Sequence, residues 1–262
     1  MSEGKKIYLG TSGWKYDDWR GVLFPTSCRD ELAAYARRFE TVEIDSTWYH
    51  TPSRKVVESW RERVGEGFRF SAKVPRAITH DALLINCDMA FGEFLETMRH
   101  LGAALGPLLF QFPPAWTSSE GERALRAWLP LLPRDLQFAM EFRHASWHQR
   151  RYHDLLREYG VAWTLADFNR MPPLVATAPF SYIRWLGDRG ETLEPLNEIK
   201  KDKHREEERW AQAIASLDVA EVWGYFNNHW AGYSPGSADA FKTRLGLPLK
   251  DEKEVSQQGT LF

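Results

Sequence analysis

Cysteine is scarce: only Cys28 and Cys87 occur in 262 residues. Two cysteines cannot build a disulfide framework or an all-cysteine zinc site. A reducing cytoplasm is the compartment that this usage predicts. Long apolar runs are missing as well. The longest mostly apolar stretch, Leu101–Phe112, is too short and interrupted to cross a bilayer. Residues 1–6 lead only to a short apolar stretch at Ile7–Leu9, so neither a signal peptide nor a membrane partner is expected. No charge dominates: 34 Lys and Arg against 36 Asp and Glu leave a net charge of −2. That excludes an overall basic coat for nucleic acid but not a local patch. The glycines after the first strand form no dinucleotide fingerprint. Gly10-Thr11-Ser12-Gly13-Trp14 lacks the third glycine and the helix opening.

Aromatic residues are plentiful, with 12 Trp, 15 Phe and 9 Tyr. They can build a core, and they also stack on sugars or bases. Hydrophobic residues at 43% and charged residues at 27% are an ordinary globular balance, which excludes general disorder.

Short stretches rich in aromatic and β-branched residues predict eight strands: Ile7–Ser12, Thr41–Thr47, Arg69–Val74, Leu108–Phe112, Gln137–Arg143, Ala162–Ala166, Tyr182–Leu186 and Glu221–Asn227. Helical periods separate most of them, at Asp30–Phe39, Arg54–Val64, Met89–Leu105, Glu120–Leu132, His153–Tyr159, His204–Leu217 and Ala238–Leu245. The link Phe168–Ser181 has three prolines and no such period. Alternating strands and helices predict a parallel sheet, and eight units predict an α/β fold of the closed (β/α)8 TIM-barrel type over residues 1–249. An open doubly wound sheet is the alternative. Lys250–Phe262 is polar with one apolar tip and reads as a flexible tail.

Strand parity sorts the side chains. Val42, Ile44, Phe70, Ala72, Phe110, Phe112, Met140, Phe142, Ile183 and Trp185 should face helices. Glu43, Asp45, Lys73, Gln111, Glu141, Arg143, Arg184 and Asn227 should then point into the barrel near its C-terminal end, where barrel enzymes carry their sites. Strand six is ambiguous, because Asp167 shares parity with Trp163 and Leu165. Glu43 and Glu141, flanked by Lys73, are the candidate acid and base. Lys73 and Arg184 suit an anionic group, while Gln111 and Asn227 can orient a substrate, as can Asp45 and Arg143. A purely structural ion network filling the mouth is the competing reading.

Histidines His50, His80, His144 and His229 fall after strands two, three, five and eight. None has a dedicated ligand spacing, so a divalent metal is possible but not favoured, and no cofactor is identified. The loop holding Trp14, Tyr16, Trp19 and Phe24 is either a hydrophobic lid or a stacking platform. Arg143–His153, with three arginines and no acid, is either a solvated loop or a contact for phosphate backbone.

Several of these blocks together resemble the YecE-like family, a domain of unknown function numbered 72. They are Gly10–Trp14 with Tyr16 and Trp19, Thr41–Tyr49, Lys73–Arg76 with Thr79 and His80, Leu109–Pro114, Glu141–His144 with Trp147, and Phe226–His229. The resemblance runs from Ile7 to about Leu247 and departs at Asp45, where asparagine is expected. It implies a (β/α)8 barrel with a general likeness to the endonuclease IV type that acts on DNA, and it implies no established reaction. Trp14, Tyr49, His144 and His229, lying in these blocks, join the candidate substrate contacts. Separately, Gln258-Gly259-Thr260-Leu261-Phe262 resembles the peptide by which bacterial DNA-processing proteins bind the sliding clamp. Gln258, Leu261 and Phe262 would be its contacts. The expectation is a hydrolase of a phosphate-containing or nucleic-acid-related substrate, with a nucleic acid or phosphorylated small molecule and the clamp as partners. A carbohydrate-active enzyme using the paired glutamates and a non-catalytic binding barrel are the alternatives.

Overall fold

The computed structural model describes residues 4–188 and 190–250. The eight strands are β1 (Lys6–Thr11), β2 (Thr41–Ile44), β3 (Arg69–Lys73), β4 (Leu105–Gln111), β5 (Phe138–Glu141), β6 (Ala162–Asp167), β7 (Phe180–Trp185) and β8 (Glu221–Phe226). All neighbours pair in parallel, in the order β1-β8-β7-β6-β5-β4-β3-β2. The helices are α1 (Glu31–Arg38), α2 (Arg54–Glu62), α3 (Asp88–Arg99), α4 (Ser118–Trp128), α5 (Arg150–Tyr159), α6 (His204–Ser216) and α7 (Ser234–Arg244). Residues 168–179 carry no helix, as their prolines predict.

The seam between β1 and β2 is closed by a single bridge, Ser12 opposite Glu43. There the Gly13 N–H donates to the Glu43 carbonyl at 2.8 Å. Tyr35, reaching in from α1, completes the seam. Its hydroxyl accepts the Thr11 N–H at 2.9 Å and donates to the Thr41 carbonyl at 3.1 Å. Gly10 is required here, since a Cβ on it would lie 2.0 Å from the Thr41 oxygen.

The helix-facing layer is a continuous apolar core that includes Val42, Ile44, Phe70, Ala72, Phe110, Met140, Phe142, Ile183 and Trp185. Trp163 and Leu165 belong to it, and Asp167 follows them: its Oδ2 accepts the indole N–H of Trp210 on α6 at 2.7 Å. Inside the barrel lies a second cluster, including Tyr8, Leu109, Phe180, Tyr182, Trp223 and Tyr225. Tyr8 and Trp223 stack at 4.1 Å near the N-terminal ends of β1 and β8 and fill that end. The interior is thus packed below and polar above.

Several boundaries differ from the periodicity, three of them with a clear local cause. The chain leaves β2 at Ile44 and turns into a short 3-10 helix, Ser46–Trp48, so Thr47 is not a strand residue. Its hydroxyl lies 2.9 Å from the Ile44 carbonyl and 2.8 Å from that of Lys73, tying the two strand ends together. β5 likewise ends at Glu141, which places Arg143 on the rim. The long apolar period Met89–Leu105 divides into α3, a turn with Gly102 at φ +56°, and the start of β4. A left-handed glycine ends the helical path there.

Candidate functional site

The C-terminal end of the barrel is built on one guanidinium. Arg184 of β7 is 1% exposed. Its two terminal nitrogens donate to Glu141 Oε2 at 2.7 Å and to Glu43 Oε1 at 2.8 Å. Glu43 Oε1 also accepts the Ser12 hydroxyl at 2.9 Å, and its Oε2 accepts the Tyr182 hydroxyl at 2.8 Å. Tyr182 in turn lies 2.6 Å from Ser71 Oγ. Glu141 Oε1 accepts Arg143 Nε at 2.7 Å. Every carboxylate oxygen of the two glutamates is therefore engaged. Burying two carboxylates without partners would cost several kcal/mol each, roughly, and this bonding offsets that cost.

The electrostatics follow from the same contacts. Burial alone would raise the Glu141 carboxyl, but Arg184 and Arg143 outweigh it and hold it down to about 2. Burial pushes the Tyr182 hydroxyl well up, and the Glu43 charge pushes the same way. Burial opposes the Arg184 charge, but the two glutamates prevail and fix it in the protonated form.

Around the two glutamates sit donors. Lys73, at the end of β3, is almost wholly buried and pairs with Asp45 Oδ1 at 2.9 Å. Its ammonium stands 5.1 Å from the centre of the Trp48 ring. Burial, then the neighbouring Arg184, lower the affinity of its amine for a proton, while Asp45 and Glu43 oppose them. After β3 comes a π-helical turn, Ala77–Asp81, a geometry frequent at functional sites. It carries His80, whose Nδ1 lies 2.9 Å from the Thr79 hydroxyl and whose Nε2 lies 3.5 Å from Gln111 Nε2. Burial, with Lys73, Arg143 and Arg76 nearby, pushes the imidazole down to about 4, so it is neutral at pH 7. Arg143 keeps a second nitrogen, Nη2, without a hydrogen-bond partner.

Of the eight residues that strand parity sends inward, Glu43, Lys73, Gln111, Glu141, Arg143 and Arg184 come together, Asp45 joins them through Lys73, and Asn227 does not. Others lie elsewhere. Asn227 turns its side-chain oxygen to the His229 N–H at 3.1 Å, capping the 3-10 turn Asn228–Trp230. His144 Nδ1 lies 2.8 Å from the Ser146 hydroxyl in its own loop. Trp14 packs edge-on against Trp60 and Phe70 in the helix-facing layer rather than over the mouth. Trp19 and Phe24 are buried against each other, with Trp19 also touching Tyr233. That loop is packed hydrophobic cover. Tyr49 is 71% exposed and meets the edge of Trp48. The basic segment does not stay together: Arg150 pairs with Asp154 and Arg151 with Glu122, away from Arg143. Ser12, Tyr182 and Trp48 are absent from the candidate site residues, and Ser71, inward by parity with Lys73, is not carried into them. Tyr182 had a usable signal, because it shares parity with Arg184.

Among the described residues no group of three or more His, Cys, Asp or Glu side chains is placed to hold a metal ion, and no helix is long and apolar enough to cross a membrane. The clamp-like peptide with Gln258, Leu261 and Phe262 lies outside the described residues.

Eight parallel strands, helices between them and a charged C-terminal mouth define a (β/α)8 barrel of the TIM type. The chain belongs to the family described as protein of unknown function DUF72, whose model matches residues 8–259. It is 35% identical over 138 residues to the UPF0759 protein YecE of Escherichia coli K12, covering 53% of this chain and 48% of that protein. The UPF0759 protein YunF of Bacillus subtilis is 29% identical over 157 residues, 56% of this chain and 54% of that protein. The matched region thus spans about half the length of these relatives. Among solved structures, a DUF72 family protein of Thermotoga maritima superposes with a TM-score of 0.77 at 24% identity, covering 92% of this chain and 99% of that one. A D-psicose 3-epimerase superposes at 0.54 and 10% identity over 95% of this chain and 93% of that one, a likeness of fold alone.

Proposed function

We propose that the mouth receives the anionic, oxygen-rich end of a phosphate-containing substrate, and that the reaction is hydrolysis of that substrate. The observation that carries this reading is which charges at the mouth are engaged. Every oxygen of Glu43 and Glu141 is bonded, whereas Arg143 keeps Nη2 without a hydrogen-bond partner and stands with Lys73 near His80, which meets Gln111. Desolvated cations and amides close together suit phosphate oxygens. Glu43 and Glu141 are then positioning residues that hold Arg184 and Arg143. Lys73 and the neutral His80 remain to bind the anion and to handle protons. Acid–base chemistry by paired glutamates is less well supported, because Arg184, Arg143, Ser12 and Tyr182 already occupy every oxygen of Glu43 and Glu141. Association with nucleic acid and with the sliding clamp, through Gln258, Leu261 and Phe262, belongs to the same proposal.

Thermal unfolding tests it. Millimolar phosphate, nucleotide or single-stranded DNA should raise the melting temperature, because a ligand that binds only the folded state stabilises it. Lys73→Met should abolish the rise while leaving the unliganded protein folded. A melting curve unmoved by all three ligands would overturn the reading.

A further inference from the structure

Two exposed aromatic rings stand on opposite sides of the charged mouth. Tyr49 follows β2 and leans on Trp48, which carries Lys73 and Arg76 over its ring at 5.1 and 5.6 Å. Phe168 follows β6 and lies under the Arg143 guanidinium at 5.1 Å. Phe168 is 42% exposed although the chain has an apolar core to bury it in. Arg143 is fixed twice, by Glu141 at its Nε and by the Phe168 ring at its face, with Nη2 still unpartnered. A phosphate alone would need the cations and no rings. A sugar ring also packs on an aromatic face, so ribose 5-phosphate is the control that separates sugar from base. Flat apolar faces beside fixed cations match a ligand that joins an anionic group to a planar heterocycle.

We propose, resting on the anion-binding reading above, that the ligand is a phosphorylated nucleoside, free or at the end of a single strand. Lys73 and Arg143 take the phosphate, and the base stacks on the Phe168 face of the mouth, with Tyr49 as the opposite wall. Phe168 is then a specificity residue: it discriminates base-bearing phosphates from bare ones.

Binding titrations with a nucleoside 5′-monophosphate, ribose 5-phosphate and inorganic phosphate test this on the full chain. The wild type should bind the nucleotide at least tenfold more tightly than ribose 5-phosphate. Phe168→Ala should bring the two within about threefold, chiefly by weakening the nucleotide, and Phe168→Trp should keep the preference. Lys73→Met should weaken both ligands. Equal binding of nucleotide and ribose 5-phosphate by the wild type overturns the nucleoside assignment and leaves the anion site standing. No binding of any of the three at 10 mM, roughly four decades above a micromolar constant, overturns both. Equal loss of both ligands in Phe168→Ala would mean that the ring only supports Arg143, and overturns the stacking role. A 5′-phosphorylated trinucleotide run alongside identifies the source: tighter binding than the monophosphate supports a strand end, and equal or weaker binding supports the free nucleotide.

Discussion

Glu43 and Glu141 enter the barrel from β2 and β5 and meet one guanidinium, that of Arg184. Removing the cation would leave two buried carboxylates facing each other. Arg184→Met should therefore cost about 3–5 kcal/mol in a denaturant titration, the range for a buried ion pair stripped of one partner. The triple variant Arg184→Met, Glu43→Gln, Glu141→Gln should recover part of that loss, since no unpaired charge remains. A triple variant no more stable than the single one would contradict this account. His80 offers a check by pH. Burial and the cations Lys73, Arg143 and Arg76 hold its imidazole at about 4, below its ordinary 6.5. The folded protein thus keeps His80 neutral where the unfolded chain is already protonated. The stability this contributes is present above pH 6.5 and is lost as pH falls toward 4. Glu141 acts in the same direction lower down: its contribution is present above 4.5 and is lost as pH falls through about 2. The His80 ring resonances, followed by NMR, should show a midpoint near 4 that rises in Lys73→Met. A midpoint at 6.5 would remove the cationic cluster from the argument.

The barrel closes at the β1–β2 seam, where the regular ladder gives way to one bridge and a tyrosine from α1. Tyr35→Phe should cost about 1–3 kcal/mol, because it strands a buried N–H and a buried carbonyl. Gly10→Ala should cost more, since the added Cβ would collide with the Thr41 backbone oxygen rather than with a side chain that can turn aside. Urea denaturation of both variants gives the comparison, and a Gly10→Ala protein as stable as wild type would contradict the seam geometry. The seam was not legible in the sequence, because it depends on which two strand edges meet. Strand period was legible: alternation in Thr41–Ile44 and Phe138–Glu141 placed Glu43 and Glu141 correctly inside. It failed where strands stopped. Thr47 and Asn227 were read by parity beyond Ile44 and Phe226, where the chain had already turned. The polar middle of the barrel was overlooked for a different reason. Tyr182 is not sorted to either side by the sequence reading, and Tyr225 is sorted with Asn227 but given no role, yet their hydroxyls serve Glu43, Ser71 and Thr41.

At the scale of the molecule, the net charge of −2 gives no long-range pull toward a polyanion. On the proposed function the barrel would have to reach a nucleic-acid-related substrate some other way, and the Gln258–Phe262 peptide would supply one. Leu261 and Phe262 entering a pocket on the sliding clamp, with Gln258 hydrogen-bonding beside it, would raise the local concentration of the barrel on DNA without taking part in the chemistry. A short peptide buries little area and must be ordered on binding, so a constant of about micromolar is expected. Leu261→Ala with Phe262→Ala should abolish clamp binding and leave both the melting temperature and nucleotide binding at the mouth unchanged. Gln258→Ala should weaken binding without abolishing it, since it removes a hydrogen bond and keeps the apolar anchors. Purified bacterial clamp titrated against the intact chain decides the matter. Absence of binding at about 100 μM, two decades above the expected constant, would overturn the clamp proposal. The mouth would then have to find its phosphate-bearing ligand by diffusion, which favours a free nucleotide over a strand end.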